Sequence, residues 1–254
     1  MPRNYNCKAS HPCFCGEQDR KPKLPVALNI LTIIVSAFDS AATSNKDYLI
    51  LGAACRATFA GFFCCGEFTV RSQEKFSLAL HLTRGSVSFS ILADATFCRV
   101  ELFASKTDLF RKGVSVVLAA GPGVVTCPLV AFKQMFTKQP APPNAPLFMR
   151  RSGKPLTHKF FIEAVCSALL ATGFEANKYT GQSFRQGTAA SAANASYSEV
   201  EIQRLGRWRS DAYKLYIEVF TTRILHISSL LYWVQPSVTI FEPPILQAAA
   251  PPLA

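Results

Sequence analysis

The chain has 254 residues, of which 49% are apolar, and this is enough to bury a sizeable core and to exclude a disordered protein. Its formal net charge of +11 and isoelectric point near 9.4 favour a polyanionic partner, because Lys and Arg gain affinity by displacing counterions from phosphates. The positive charge by itself could equally serve only to keep the protein soluble. An acidic membrane surface is a weaker one, since no basic run borders an amphipathic anchor.

The cysteines indicate a reducing, intracellular compartment. There are nine, an odd number, and the polar N-terminus has no apolar signal segment, so we expect free thiols. Cys7, His11, Cys13 and Cys15 cluster, but their spacing fits no common zinc site, and we expect no metal. Residues 48–65 are apolar, yet Arg56 in their middle favours a buried helix over a membrane span.

The N-terminal half is predicted to contain two helices and then a small sheet. Residues 1–23 are predicted to form a flexible basic arm. Apolar residues at helical spacing predict helices over 26–38 and about 47–63, with Gly66 as the stop of the second. Alternation of apolar and polar residues predicts three strands, at 86–91, 98–103 and 114–118.

Capping and breaking residues predict five helices after the sheet. The ranges are 128–136, 157–172, 187–195, 198–205 and 211–220. The second begins at Thr157 and stops before Gly173, and the fourth has a Ser198–Glu201 capping box. Residues 138–146 are Pro-rich and predicted to form a loop, and the Pro/Ala-rich residues 234–254 are predicted to form a disordered tail.

One segment carries a recognisable pattern. Residues 182–217 include Gln-Ser-Phe-Arg-Gln-Gly-Thr-Ala-Ala and then Leu-Gly-Arg-Trp-Arg-Ser-Asp-Ala-Tyr-Lys-Leu-Tyr-Ile. The pattern resembles the C-terminal half of a tyrosine recombinase (phage integrase) catalytic domain, in the form found in eukaryotic mobile elements. Weaker matches follow the expected order at 61–69, 105–114, 127–129, 146–148 and 153–157.

The resemblance covers residues 24–233 and implies the fold class. The expected fold is α+β, a mainly helical catalytic domain with a small three-stranded antiparallel sheet. The family's helical core-binding domain, which closes a clamp around DNA, has no counterpart here, because residues 1–23 are too short to supply it.

The resemblance also implies roles for particular residues. Family members cleave and rejoin DNA through a 3′-phosphotyrosine, without metal or other cofactor. Tyr216 matches the nucleophile, Arg185 a phosphate-binding arginine, and Lys106 the general acid on the turn between the second and third strands. Trp208 matches the His/Trp position, with Arg207 as a second candidate for the same contact. Fixed cations suit this chemistry, since charge grows on the phosphate oxygens during substitution.

Each of these residues has a purely structural alternative. Tyr216 could be an ordinary residue of an amphipathic helix, and Trp208 could pack in the core. Arg185 could form a surface salt bridge, and a turn lysine such as Lys106 is usually only solvated.

Two positions depart from the family pattern. Cys64 stands where the first arginine is expected, and neither Arg56 nor Arg71 is in register to replace it. Gln182 stands where a histidine is expected, and glutamine cannot exchange a proton near neutral pH. Because losing a fixed cation at a transferring phosphoryl group costs on the order of 10³-fold in rate, catalysis is predicted to be impaired.

These observations leave more than one function open. We expect a double-stranded DNA partner, a nuclear or other intracellular location, and no membrane association; a homo-oligomer such as a tetramer on DNA is compatible with the resemblance. The alternative is a catalytically dead, domesticated module that binds DNA or another partner. A type IB topoisomerase-like relaxing enzyme shares the chemistry but needs both arginines. Whether the chain is an enzyme is therefore left undecided by the sequence.

Overall fold

The computed structural model describes residues 23–43, 45–71, 73–90, 97–103, 113–121, 123–208, 210, 211 and 214, all within one compact unit, Met1–Ile217. Seven helices and three strands occur in this part of the chain. The helices are α1 Leu28–Ala41, α2 Lys46–Ala60, α3 Cys65–Phe68, α4 Pro128–Lys138, α5 His158–Ala171, α6 Gly181–Asn194 and α7 Glu199–Gly206, and the strands are β1 Val87–Phe89, β2 Phe97–Leu102 and β3 Val114–Ala119.

Helix α2 lies at the centre of the molecule. It packs against α1, α4, α6 and β3, and its residues are buried on every side from Leu49 to Thr58. In contrast, α1 is amphipathic and buries only the apolar residues that recur at helical spacing, namely Leu31, Ile34, Val35 and Phe38. The central position of α2 explains why its sequence is apolar enough to look like a membrane span.

Arg56 is buried in α2, but its charge is compensated. Its guanidinium forms a bidentate ion pair with Asp39 of α1, and its Nε donates to the Val125 carbonyl at 2.7 Å. Among the described residues, no helix is both long and apolar enough to cross a bilayer. The predicted buried helix is confirmed around Arg56.

The end of α2 differs from the prediction. The helix stops at Ala60, because Gly61 caps it and Phe62 takes a left-handed conformation with φ of 52°. Gly66, the predicted stop, lies instead inside the short helix α3. The chain reverses at Phe62, and this brings Cys64 to the surface of the core beside α6.

The predicted three-stranded antiparallel sheet is confirmed, with the strand order β1-β2-β3. The first strand is shorter than predicted. Thr83 and Ser86 form a capping box that winds Arg84–Ser86 into a 3₁₀ turn, so β1 begins only at Val87. The sheet and the helices together match the expected α+β class.

The Pro-rich segment after α4 has no helix or strand, as predicted. It is nevertheless held in place by two backbone hydrogen bonds. The Ala145 carbonyl accepts from Arg84 N at 2.9 Å, and the Pro143 carbonyl accepts from Gly85 N at 2.8 Å. Helix α5 begins at the predicted cap, where the Thr157 hydroxyl accepts from Phe160 N. The glycine that follows α5, Gly173, has φ of 84°, a conformation that favours glycine.

Helix α6 begins six residues earlier than predicted. Thr180 and Ser183 form a capping box, and this starts the helix at Gly181 instead of Gly187. Gly187 lies where α6 approaches the N-terminal segment, since a Cβ there would be 1.8 Å from the Val26 carbonyl oxygen. The Ser198 capping box of α7 is confirmed. Of the predicted last helix, 211–220, only Asp211 and Lys214 are among the described residues, and the predicted arm (except Lys23) and tail lie outside them.

Candidate functional site

Three of the predicted site residues meet at one place. Cys64 precedes α3, Arg185 lies in α6, and Trp208 follows the end of α7. The Arg185 guanidinium donates through Nη1 to the Cys64 sulfur and through Nη2 to the Gly206 carbonyl. Its Cζ lies 4.4 Å from the centre of the Trp208 ring, a distance typical of a cation–π contact. The motifs that the sequence places far apart are therefore adjacent in space.

The end of α7 provides the acceptor for Arg185. The last carbonyls of a helix lack partners within the helix and carry partial negative charge, so they attract cations. Gly206 ends α7, and a Cβ there would overlap the Trp208 ring at 1.7 Å, so this glycine lets the indole fold back over the helix end. Trp208 also makes an edge-to-face contact with Phe62, with ring centres 6.0 Å apart.

Cys64 is held by the capping box of α3. Its backbone N–H donates to Glu67 Oε2 at 2.8 Å. Burial raises the pKa of the Cys64 thiol, and the nearby Glu67 carboxylate raises it further, while Arg185 and Arg207 oppose the shift. Cys64 is therefore a neutral thiol near neutral pH, and it supplies neither a cation nor a thiolate at this site.

The Arg207 side chain packs against the protein and makes its contacts there. It caps α7 in a left-handed conformation, with φ of 57°. Its guanidinium donates to the Gly61 and Phe62 carbonyls at 2.9 and 3.3 Å, and forms a 2.9 Å ion pair with Glu67. The side chains of Arg207 and Glu67 are only 16% and 9% exposed. These contacts attach the end of α7 to the loop that carries Cys64.

Gln182 is exposed in the first turn of α6, one turn before Arg185. Gly181, beside it, packs closely on a neighbouring pair, because a Cβ there would lie 2.7 Å from Cys65 Sγ and 3.0 Å from His158 Nε2. The Cys65 thiol also donates to the Gly181 carbonyl at 3.4 Å. Lys106 and Tyr216 lie outside the described residues.

Glu67 was missed by the sequence reasoning. Its carboxylate links the Cys64 amide to Arg207 and so fixes the relative positions of α3 and α7. A local signal for it existed, since a glutamate three residues after a helix N-cap is the acidic member of a capping box. Its ion pair with Arg207 has no such signal, because the two residues are distant in sequence.

Two guanidinium groups lie in the described part of the site, those of Arg185 and Arg207, and the Nε of each is buried without a hydrogen-bond partner among the described residues. The two Nη groups of Arg185 donate to Cys64 and to the Gly206 carbonyl. Within the described ranges, no group of three or more His, Cys, Asp or Glu side chains is arranged to hold a metal ion. The arrangement thus places positive charge beside Cys64 and Trp208, and neither of these positions brings a proton-exchanging side chain beside Arg185.

The fold is that of the catalytic domains of DNA recombinases and integrases. XerA recombinase superposes with a TM-score of 0.58 at 12% identity, over 83% of this chain and 66% of that one. XerH site-specific recombinase, bound to a palindromic difH substrate in a post-cleavage complex, gives 0.56 at 14% identity, over 84% and 55%. A variant of the Tn1549 transposon integrase, in complex with a circular intermediate DNA, gives 0.51 at 14% identity, over 84% and 67%.

At these identities the likeness is one of fold. The chain spans a little over half of the XerH chain and about two thirds of the XerA chain. No protein-family model matches the sequence, and no curated protein matches it.

Proposed function

We propose that this chain is a double-stranded-DNA-binding domain of the tyrosine recombinase type, of mobile-element origin, in which strand cleavage through Tyr216 is impaired. The observation that carries the proposal is the contact of Arg185 with both Cys64 and Trp208 at the end of α7. Two separate parts of the resemblance, residues 61–69 and 182–217, supply these residues, and their convergence is what a shared phosphate site requires. The net charge of +11 favours a DNA partner. We further propose a nuclear location.

The chemistry proposed for Tyr216 is a substitution at phosphorus. Its phenol gives up its proton to solvent and the phenol oxygen bonds to phosphorus, while the bond from phosphorus to the 5′-oxygen breaks. The leaving 5′-oxygen takes a proton from Lys106 and becomes the 5′-hydroxyl, and the 3′-phosphate remains on the tyrosine. Arg185, Trp208 and an arginine at position 64 would stabilise the charge on the phosphate oxygens. Cys64 removes one of these cations and Gln182 removes a group that exchanges protons, so the step is slowed and DNA binding is retained.

The proposal is tested by restoring the two positions. The double variant Cys64→Arg/Gln182→His should trap a nicked suicide duplex as a covalent adduct on the order of 10³-fold faster than the wild type, because both changes act on one phosphate. The measurement is a protease-sensitive DNA adduct on a denaturing gel. EDTA should not change the yield.

Two matched variants separate chemistry from fold. Cys64→Met/Gln182→His adds a side chain without a cation at position 64 and should give no such gain. Tyr216→Phe added to the restored protein should abolish the adduct, and an adduct that survives it overturns the role of Tyr216. Wild-type protein that reacts as fast as the restored variant overturns the impairment. No adduct in the restored variant, with DNA binding intact, favours the catalytically dead binding module instead.

A further inference from the structure

A second group of cations lies outside the site, on a tight hairpin before α5. Met149 and Pro155 form an antiparallel bridge, and Arg150 N donates to the Lys154 carbonyl at 2.8 Å. The turn is closed by Gly153, whose φ is 77°. Arg151 and Lys154 are exposed on this hairpin.

The hairpin is fixed to the core by Asp47, a buried residue in the first turn of α2. Its carboxylate accepts from Arg151 N at 2.6 Å and pairs with Arg150 Nε at 3.3 Å. The Arg150 guanidinium also stacks on Phe160 of α5, 3.5 Å from the ring centre. Asp47 and Phe160 therefore occupy Arg150, whereas the side chains of Arg151 and Lys154 extend from a rigid support.

Further exposed cations lie on a segment that pairs with residues 156–158. Val70 bridges Thr157 in parallel, and it exchanges backbone hydrogen bonds with Leu156 and His158 at 2.9 and 3.0 Å. Arg71 follows Val70 directly and is exposed, as are His158 and Lys159. Lys159 is partly offset by Glu163, 3.8 Å away, but both side chains are more than half exposed and such pairs are weak.

The basic surface formed by Arg71, Arg151, Lys154, His158 and Lys159 adjoins the candidate site. His158 lies against Gly181 of α6, and Gly181 and Arg185 are four residues apart on one face of that helix. The surface thus extends from the hairpin to the first turn of α6, the helix that carries Arg185.

We propose that this basic surface binds the sugar-phosphate backbone of duplex DNA, on the flank of the phosphate held by Arg185. The inference rests on the proposed function. Duplex DNA presents one charge per roughly 1.7 Å of its axis, and fixed cations on a rigid turn suit such an array. Single strands are usually held by stacking on exposed aromatic rings. The aromatic ring at this surface, Phe160, is covered by Arg150, and this favours the duplex.

The test measures how binding to a 30-bp duplex depends on salt. The variant Arg71→Gln/Arg151→Gln/Lys154→Gln should reduce the slope of log K against log salt by about 2 to 3, since each lost phosphate contact removes about 0.9. The matched control is Arg99→Gln/Lys133→Gln/Lys138→Gln, which removes three exposed cations from β2 and α4. Its slope should stay within about 1 of the wild type.

The outcomes distinguish the two proposals. Wild-type protein that does not bind the duplex at low salt overturns the proposed function itself. Wild-type protein that binds, together with a surface variant that keeps the wild-type slope, overturns only the basic surface. A control variant that loses as much slope as the surface variant also overturns it, because the contacts would then be spread over the molecule. Unchanged thermal unfolding of both variants excludes misfolding as the cause.

Discussion

Two buried arginines of this protein differ in how their charge is compensated. Arg56 has Asp39 and a carbonyl as partners. Arg84 is 3% exposed, and its three guanidinium nitrogens have no hydrogen-bond partner among the described residues. Its only described compensation is the ring of Phe136, 4.9 Å below its Cζ. Burial lowers the pKa of Arg84, consistent with a cation in an unfavourable environment.

This contrast predicts opposite effects of the same substitution. Arg84→Met should stabilise the fold by about 1 to 2 kcal/mol, because it removes a buried charge that has no hydrogen-bond partner among the described residues and keeps the aliphatic volume. Arg56→Met should destabilise it by about 2 kcal/mol, because it breaks a satisfied network. Urea unfolding of both variants measures the difference. A loss of stability in Arg84→Met would mean that the guanidinium has a stabilising partner.

The site residues were predictable from sequence only in part. Arg185, Trp208 and Cys64 were singled out through the order of motifs, and the structure brings them together, while their roles stay predictions. The interactions that fix them were not found, because the Arg207–Glu67 ion pair and the Gly206 carbonyl connect segments that no spacing rule relates. Gln182 was placed before a helix, whereas the Thr180 capping box puts it in the first turn of α6.

Among the elements, α6 both carries residues of the candidate site and packs closely against the segment before α1, and its small residues allow this packing. Its first two turns carry Gln182 and Arg185, and Gly187 lets the next turn approach the segment that leads into α1. Val26 N donates to the Ser183 carbonyl at 2.8 Å at this crossing. The position of Arg185 therefore depends on a close contact with the start of the described chain.

The close contact predicts that Gly187→Ala is strongly destabilising. The added methyl would overlap the Val26 carbonyl, so α6 or the Val26 segment must move, at a cost of about 3 kcal/mol. Gly66→Ala is the matched control, since nothing lies within 4 Å of a Cβ at that helical position. It should be neutral or stabilise by up to about 1 kcal/mol. Equal thermal unfolding temperatures for the two variants would contradict the close contact between Gly187 and the Val26 carbonyl.

Element boundaries were harder to predict than element types. The caps at Thr157 and Ser198 were found because they depend on neighbouring residues alone. The capping box at Thr83 was missed because Ser86 also fits the alternation of a strand. In the structure its local hydrogen bonds with Thr83 place Ser86 in a 3₁₀ turn instead. The end of α2 is set by the left-handed conformation of Phe62, and a phenylalanine in the sequence does not predict that conformation.

At the scale of the whole molecule, buried thiols make the fold sensitive to alkali. Burial raises the pKa of Cys55 and Cys65, and it raises that of Cys98 to about 12. A raised folded-state pKa means that the native protein holds the proton more tightly than the unfolded chain. The stabilisation is complete below the unfolded pKa of about 8.5 and is lost as the pH rises toward the folded value.

We therefore expect the free energy of unfolding to fall above about pH 8.5, by about 1.4 kcal/mol per pH unit for each of these three thiols. Denaturant unfolding in reducing buffer between pH 7 and 10 measures the slope. Cys98→Val should reduce the slope by the contribution of one thiol. A free energy that stays constant up to pH 10 would show that the thiols ionise without unfolding.

The hydrogen bond from the Cys64 amide to Glu67 has a consequence for how this protein can change over generations. The loop at position 64 is fixed mainly by its own amide and by the Glu67–Arg207 pair, and the Cys64 side chain adds only the contacts of its thiol with the Glu67 amide and with Arg185. An arginine there could be exchanged for cysteine with little effect on folding, so selection for a folded protein would not remove the change. If Cys64 replaced an arginine in this way, the architecture of the site could persist without the ability to cut DNA.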